Sequence, residues 1–160
     1  HRLRARPVSL PSGEREPGSP LDFLFLHGAP GTGKSSVAQA VHARLGTPVF
    51  EFGWIPEFRH RRHGDLTYAQ EEAFSFENLA LVLKNYRRRG FDRIVVTDLR
   101  DPIVRRVPRV FARTRWRLLT LTLDDEALLQ ARVLDETRSS GYRDWEEALA
   151  LDRLYRTRPL

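Results

Sequence analysis

Apolar positions in this chain alternate between short unbroken runs and longer stretches with a helical repeat. Residues 21–26 read Leu-Asp-Phe-Leu-Phe-Leu, the length of a strand covered on both faces of a parallel sheet. Val37, Ala38, Val41 and Leu45 then recur at helical spacing, and residues 48–52 predict a second strand. Residues 53–65 are irregular, basic and aromatic, the composition of a functional loop. Thr67 and Gln70 have the spacing of a capping box at the head of a long helix. Its apolar positions include Ala69, Ala73, Phe76, Ala80 and Leu83, and Gly90 ends it. Residues 93–98 predict the third strand. Asp101 and Pro102 open another helix, which Pro108 should kink or end.

Residues 118–123 predict the fourth strand. A helix from Asp124 to about Arg138 follows, interrupted by residues 139–141, and Asp144 with Glu147 caps a last helix running to about Pro159. Strands alternating with helices predict an α/β fold with a parallel sheet and helices on both faces.

Residues 1–20 carry four prolines, two glycines and scattered charge without periodicity, so we expect a flexible leader before one domain over residues 21–160. A chain of 160 residues has room for one core and no second catalytic domain. Its lack of cysteine excludes disulfides, thiolate chemistry and cysteine-based zinc sites. The absence of a long apolar run or secretory leader predicts a cytoplasmic protein without membrane contact. Net charge is +6, carried by 25 arginines and only two lysines, Lys34 and Lys84. Basic balance of this kind permits polyanion binding.

One of those two lysines falls within the chain's most specific motif. Gly28, Ala29, Pro30, Gly31, Thr32, Gly33, Lys34 and Ser35 spell a phosphate-binding P-loop between the first strand and the first helix. Backbone N–H groups of such a loop, with Ser36 behind it at the helix start, favour anions. Glycines at 28, 31 and 33 allow close approach, Lys34 offers a compact cation to the outer phosphates, and the Ser35 hydroxyl suits Mg²⁺. A nucleoside triphosphate, foremost ATP, is the expected ligand.

Asp98 ends the apolar strand Ile94-Val95-Val96-Thr97, where a carboxylate can share the metal with Ser35. Leu99 follows instead of a water-activating glutamate, and no Asn-Lys-x-Asp base-recognition motif is present. With these residues the chain resembles small P-loop kinases of the nucleoside-monophosphate kinase type, akin to gluconate kinases, chloramphenicol phosphotransferases and P-loop proteins of the AAA type. The resemblance covers about residues 21–155. It implies a three-layer P-loop NTPase fold with strand order 2-3-1-4, the fifth strand being absent or atypical here. It further implies a lid whose arginines, Arg132, Arg138 and Arg143, surround the moving phosphoryl group. Arg100, close after Asp98, matches an arginine near the third-strand acid.

The acceptor side departs from that pattern. Relatives place an aspartate shortly after the second strand, whereas this chain offers Glu51 and Glu57. Asp98 is the favoured base with Glu57 second, Asp65 and Asp101 being further carboxylates in range, and Trp54, Phe58 and Tyr68 are available to line a pocket. His60 and His63 lack a carboxylate cluster and are read as surface residues; Arg59, Arg61 and Arg62 could meet an anionic acceptor. Arg87 to Arg89 suit a helix C-terminus. We therefore expect a Mg²⁺-dependent phosphotransferase acting on a small-molecule hydroxyl or phosphate. The alternative is an NTP-binding regulatory or nucleic-acid-associated module with slow hydrolysis. Oligomeric state is not encoded in any of these features.

Overall fold

A computed structural model describes residues 21–55, 66–138 and 140–158. The leader, Glu57, Phe58, residues 59–63, Asp65 and Ser139 lie outside them. Among the described residues four strands form one parallel sheet. β1 (Phe23–Gly28) is central, flanked by β3 (Ile94–Thr97) and β4 (Trp116–Leu121), with β2 (Val49–Glu51) beyond β3. The order 2-3-1-4 is the expected one. Phe23 pairs with Ile94 on one side and Trp116 on the other, and Glu51 pairs with Thr97. Gly28, Glu51 and Asp98 thereby share the carboxyl end of the sheet, where open α/β sheets form their ligand crevice.

Side chains alternate across the sheet because successive Cβ atoms point to opposite faces. Phe23, Phe25, Ile94 and Val96 enter the larger core, which α2 (Tyr68–Arg88) closes with Phe76, Leu79 and Leu83. Leu26 and Val95 face the other way onto Ala38 of α1 (Lys34–Leu45). The result is three layers, helix on sheet on helix.

Local chemistry explains most element ends. The Thr67 capping box forms, its N–H donating to Gln70 Oε1 at 2.8 Å and the Gln70 N–H donating to Thr67 Oγ1 at 3.4 Å. Gly46, left-handed at φ 63°, ends α1. On α1 the expected apolar face is narrower than its periodicity implied: Val37 and Leu45 are exposed, and only Ala38 is fully buried. The small core it covers is filled by Leu26, Val95 and partly buried Leu24, Val41 and Val49, so a narrow stripe suffices. Ala69 is likewise exposed on the first turn of α2.

Pro108 does not end a helix. It lies in the first turn of α4 (Val107–Val110), where its missing N–H has no intrahelical partner to lose. The break instead separates α4 from α3 (Asp101–Val104). β4 begins two residues before the expected position, and Asp125, rather than Asp124, caps α5 (Glu126–Leu134) by accepting from the Leu128 N–H at 2.9 Å.

α5 stops at Leu134, short of the expected Arg138. The Asp135 carboxylate accepts from both the N–H and the hydroxyl of Thr137, at 2.9 and 2.7 Å, diverting the backbone into a turn. Arg138 then donates to the carbonyls of Arg132 and Val133 at 3.1 and 3.4 Å, satisfying the helix end. Asp144 caps α6 (Trp145–Thr157) by accepting from the Glu147 N–H at 2.9 Å, while the Glu147 carboxylate takes the Tyr142 hydroxyl at 2.6 Å.

At the amino end of the sheet, buried Asp22 accepts the Arg115 N–H at 2.8 Å and pairs with Arg87 at 3.0 Å. Burial alone would raise its pKa, but these partners outweigh it and hold the carboxyl below its ordinary range. One carboxylate thus ties the start of β1 to the end of α2 and the entry of β4. Among the described residues no helix is long and apolar enough to cross a membrane.

Candidate phosphate-binding site

The three glycines of the loop have different jobs. A Cβ on Gly28, at φ 140°, would lie 2.3 Å from the Leu121 carbonyl oxygen, so this glycine lets the loop leave β1 against the end of β4. A Cβ on Gly31, at φ 88°, would lie 2.9 Å from both Leu129 and Val133, so this one admits α5. Only Gly33 opens outward, with the Arg132 guanidinium 3.9 Å from its missing Cβ. Packing therefore accounts for the glycine requirement at 28 and 31, a tertiary reason that the motif alone does not reveal. Ala29 is buried, and the Thr32 hydroxyl donates to its carbonyl at 2.9 Å, bracing the loop from within.

Gly33, left-handed at φ 96°, precedes the first turn of α1 without a side-chain cap, and that turn contains no acidic residue. Its free N–H groups and the positive end of the helix dipole suit an anion. Ser35 and Ser36 are exposed on the same turn. Lys34 folds back, its Nζ donating to the Gly28 and Ala29 carbonyls at 2.8 and 3.0 Å. Burial lowers its pKa, the Asp98 and Glu51 carboxylates oppose that shift, and Arg138 adds to it.

Asp98 takes a left-handed conformation at φ 68° just past β3, one that a short polar side chain tolerates better than most. Burial raises its pKa, Lys34 counteracts, nearby Glu51 raises it further, and the Gly53 N–H that it accepts lowers it. Gly53 is a participant that pattern reading missed. A Cβ there would stand 3.1 Å from Asp98 Oδ2, so glycine lets the single 3-10 turn Phe52–Trp54 press its backbone on the acid. Glu51 thus joins Lys34 and Asp98 at the site. Trp54 is 43% exposed on the same turn.

The expected arginines separate into two groups. Arg132 stands over Gly33, and Arg138 is close enough for its charge to depress the Lys34 pKa. Arg143 is turned into its own loop, donating to the Ser140 and Tyr142 carbonyls at 2.6 and 2.9 Å. Arg100 is also engaged elsewhere, paired with Glu72 at 2.9 Å and stacked 4.7 Å from the Tyr68 ring centre. Tyr68 is accordingly a platform for Arg100. Glu57 lies outside the described residues.

His27, another residue that periodicity concealed, is buried directly before the loop with its ring centre 4.4 Å from that of Tyr155. Its Nδ1 has no hydrogen-bond partner among the described residues. Burial, helped by the Lys34 and Arg105 charges against Asp101, lowers its pKa to about 4. Because an unfolded histidine titrates near 6.5, the unfolded chain takes up this proton first. The stabilisation is complete above pH 6.5 and is lost as pH falls toward 4, amounting to about 3 kcal/mol. Urea unfolding across that range should show a steeper loss in the wild type than in His27→Leu; parallel curves would contradict the buried neutral imidazole.

A phosphate-binding loop at the end of the central strand of a parallel 2-3-1-4 sheet defines the P-loop NTPase fold. The family model for "ATPase family associated with various cellular activities (AAA)" matches residues 24–98, from β1 through Asp98. In solved structures the fold is that of small P-loop kinases. A sugar kinase from Janibacter sp. HTCC2649 is 18% identical with TM-score 0.57, the match covering 83% of this chain and 78% of that one. Shikimate kinase from Bacteroides thetaiotaomicron is 18% identical with TM-score 0.54, covering 87% and 80% respectively. A gluconokinase from Sinorhizobium meliloti 1021 is 17% identical with TM-score 0.52, covering 80% and 71%. No curated protein matches the chain in sequence.

Proposed function

We propose that the chain is an ATP-dependent phosphotransferase that moves the γ-phosphoryl group to a small-molecule hydroxyl or phosphate. The observation that carries this reading is the meeting of an uncapped, carboxylate-free helix start and Lys34 with the Glu51 and Asp98 carboxylates at one end of the sheet. Anion-binding and proton-accepting groups are thereby adjacent. The small-molecule kinases that share the fold support the same chemistry.

Donor phosphates would rest on the N–H groups from Gly33 to Ser36, and Lys34 would exchange its loop carbonyls for phosphate oxygens. Among the described residues no group of three or more His, Asp or Glu side chains could hold a metal unaided. Such a donor set fits Mg²⁺ that takes phosphate oxygens as its main ligands. Ser35 would hold it, with Asp98 reached through water. When bound, Mg²⁺ would neutralise charge on the phosphate oxygens. Asp98 accepts the acceptor's proton, its affinity for one raised by burial and by Glu51. Arg132 and Arg138 stabilise charge on the transferring group and exclude water.

The decisive experiment incubates the full chain with ATP, Mg²⁺ and a panel of sugars, hydroxy acids, nucleotides and aminoalcohol antibiotics. Mass spectrometry should find one phosphorylated acceptor formed in step with ADP. ADP formed at the same rate with and without every acceptor would overturn the transferase reading. For the lid, Arg138→Ala should lower kcat by about 10- to 100-fold while the KM for ATP moves less than about threefold. A rise in KM at unchanged kcat would assign Arg138 to ground-state binding instead.

A further inference from the structure

We propose that a basic groove at the amino end of the sheet, opposite the phosphate-binding loop, is a second site that takes a small organic polyanion bearing two or more phosphate groups. The last turns of α2 form one wall with Lys84 and Arg88. Arg109 and Arg113 form the other, and Val110 and Ala112 supply apolar surface between them. The groove is open to solvent along one side and has a volume of about 480 Å³, within the range of small-molecule sites. The Asp22–Arg87 pair fixes its location, since Asp22 precedes β1 whereas the P-loop follows it. A strand of six residues separates the two ends by roughly 20 Å.

Convergence of cations sets this groove apart. Several arginines elsewhere pair with a carboxylate, as Arg93 with Asp92, Arg105 with Asp101 and Arg153 with Glu126, and Arg143 donates to backbone carbonyls of its own loop. Among the described residues no carboxylate lines the groove. Asp22 neutralises Arg87, but Lys84, Arg88, Arg109 and Arg113 have no acidic partner among the described residues. Lys84 instead stands 5.6 Å from the Phe111 ring centre, which steadies an ammonium without cancelling it. The negative end of the α2 dipole accounts for cations in its last turn. It does not account for Arg109 and Arg113 converging from the facing segment. Like charges drawn together repel unless an anion joins them, and the guanidinium fork matches phosphate oxygens.

The chemistry of the lining selects the ligand class. Among the described residues no aromatic side chain lines the groove, so these residues offer no stacking platform of the kind used for single-stranded nucleic acid. Concave shape and apolar surface suit a compact molecule with an organic body and clustered phosphates. Such a ligand would be read far from the reacting groups and therefore acts as an effector or a docked product.

The probe is inorganic tripolyphosphate, titrated calorimetrically at low salt into the wild-type chain, Lys34→Ala, and Lys34→Ala combined with Arg109→Ala and Arg113→Ala. Tripolyphosphate should still bind Lys34→Ala, and the combined variant should bind at least about tenfold more weakly. It should also raise the melting temperature of Lys34→Ala and leave that of the combined variant unchanged. Arg109 and Arg113 are exposed and have no ion pair among the described residues, so their loss spares the fold, which the same melts verify; Arg113→Glu alone provides a second variant with the same expected direction. Loss of all binding in folded Lys34→Ala, or binding indifferent to the two arginines, overturns the site. A short DNA duplex that binds through these arginines more tightly than tripolyphosphate would overturn the small-ligand class in favour of nucleic acid.

Discussion

Lys34→Ala is expected to lower nucleotide turnover by about 10²- to 10³-fold, the loss typical of one preorganised charge stabiliser at a reacting phosphate or oxyanion. The effect arises because the ammonium is the one cation that the loop itself contributes, held against the Gly28 and Ala29 carbonyls. Burial already disfavours its charge, and Asp98 and Glu51 offset that only in part. Removing it should therefore cost activity far more than stability. Lys34→Arg should recover little, since a planar fork needs a different approach from a point charge. Steady-state ATP consumption with a parallel thermal melt checks both halves. Turnover at the wild-type rate would dissociate the loop from catalysis altogether.

Phe111→Ala is expected to destabilise the fold by about 3–5 kcal/mol. Its fully buried ring lies 5.0 Å from Phe23 and 5.2 Å from Phe25, centre to centre, and 6.4 Å from Phe76. These rings come from β1 and α2, so the truncation opens a void where sheet, long helix and the return to β4 meet. Neighbouring aromatics cannot collapse into such a space without leaving their own rotamers. Phe111→Leu should cost distinctly less because it retains most of the volume. Urea unfolding at neutral pH gives both values, and a loss below about 1 kcal/mol for the alanine variant would contradict this packing.

The contrast between these two positions shows what could be read from the chain before folding. Lys34 is legible because the P-loop is a local motif flanked by a strand and a helix. Asp98 is legible because the apolar run of β3 ends at it. Strand order followed from resemblance, and the parallel sheet from alternation of elements. Properties set by distant partners were not legible. The Gly31 requirement comes from Leu129 and Val133, nearly a hundred residues onward, and Gly53 matters because β2 delivers its turn to Asp98. Val37 and Leu45 fit a helical repeat but meet no core, and α5 ends early through competition by the Asp135 carboxylate. The family resemblance grouped Arg100 and Arg143 with the site, whereas in the structure Glu72, Tyr68 and nearby carbonyls hold them.

The contact of Gly31 with α5 makes the loop and the arginine-bearing segment a single mechanical unit. Leu129 and Val133 rest on the loop, and the same helix carries Arg132 and receives Arg138 at its end. Any ligand that restrains the loop also restrains this helix, and linkage makes the effect reciprocal. Trimming Val133 thus loosens phosphate holding from behind, without touching a residue that faces the phosphate. Affinity for the donor and order in the arginine segment are two readouts of one equilibrium.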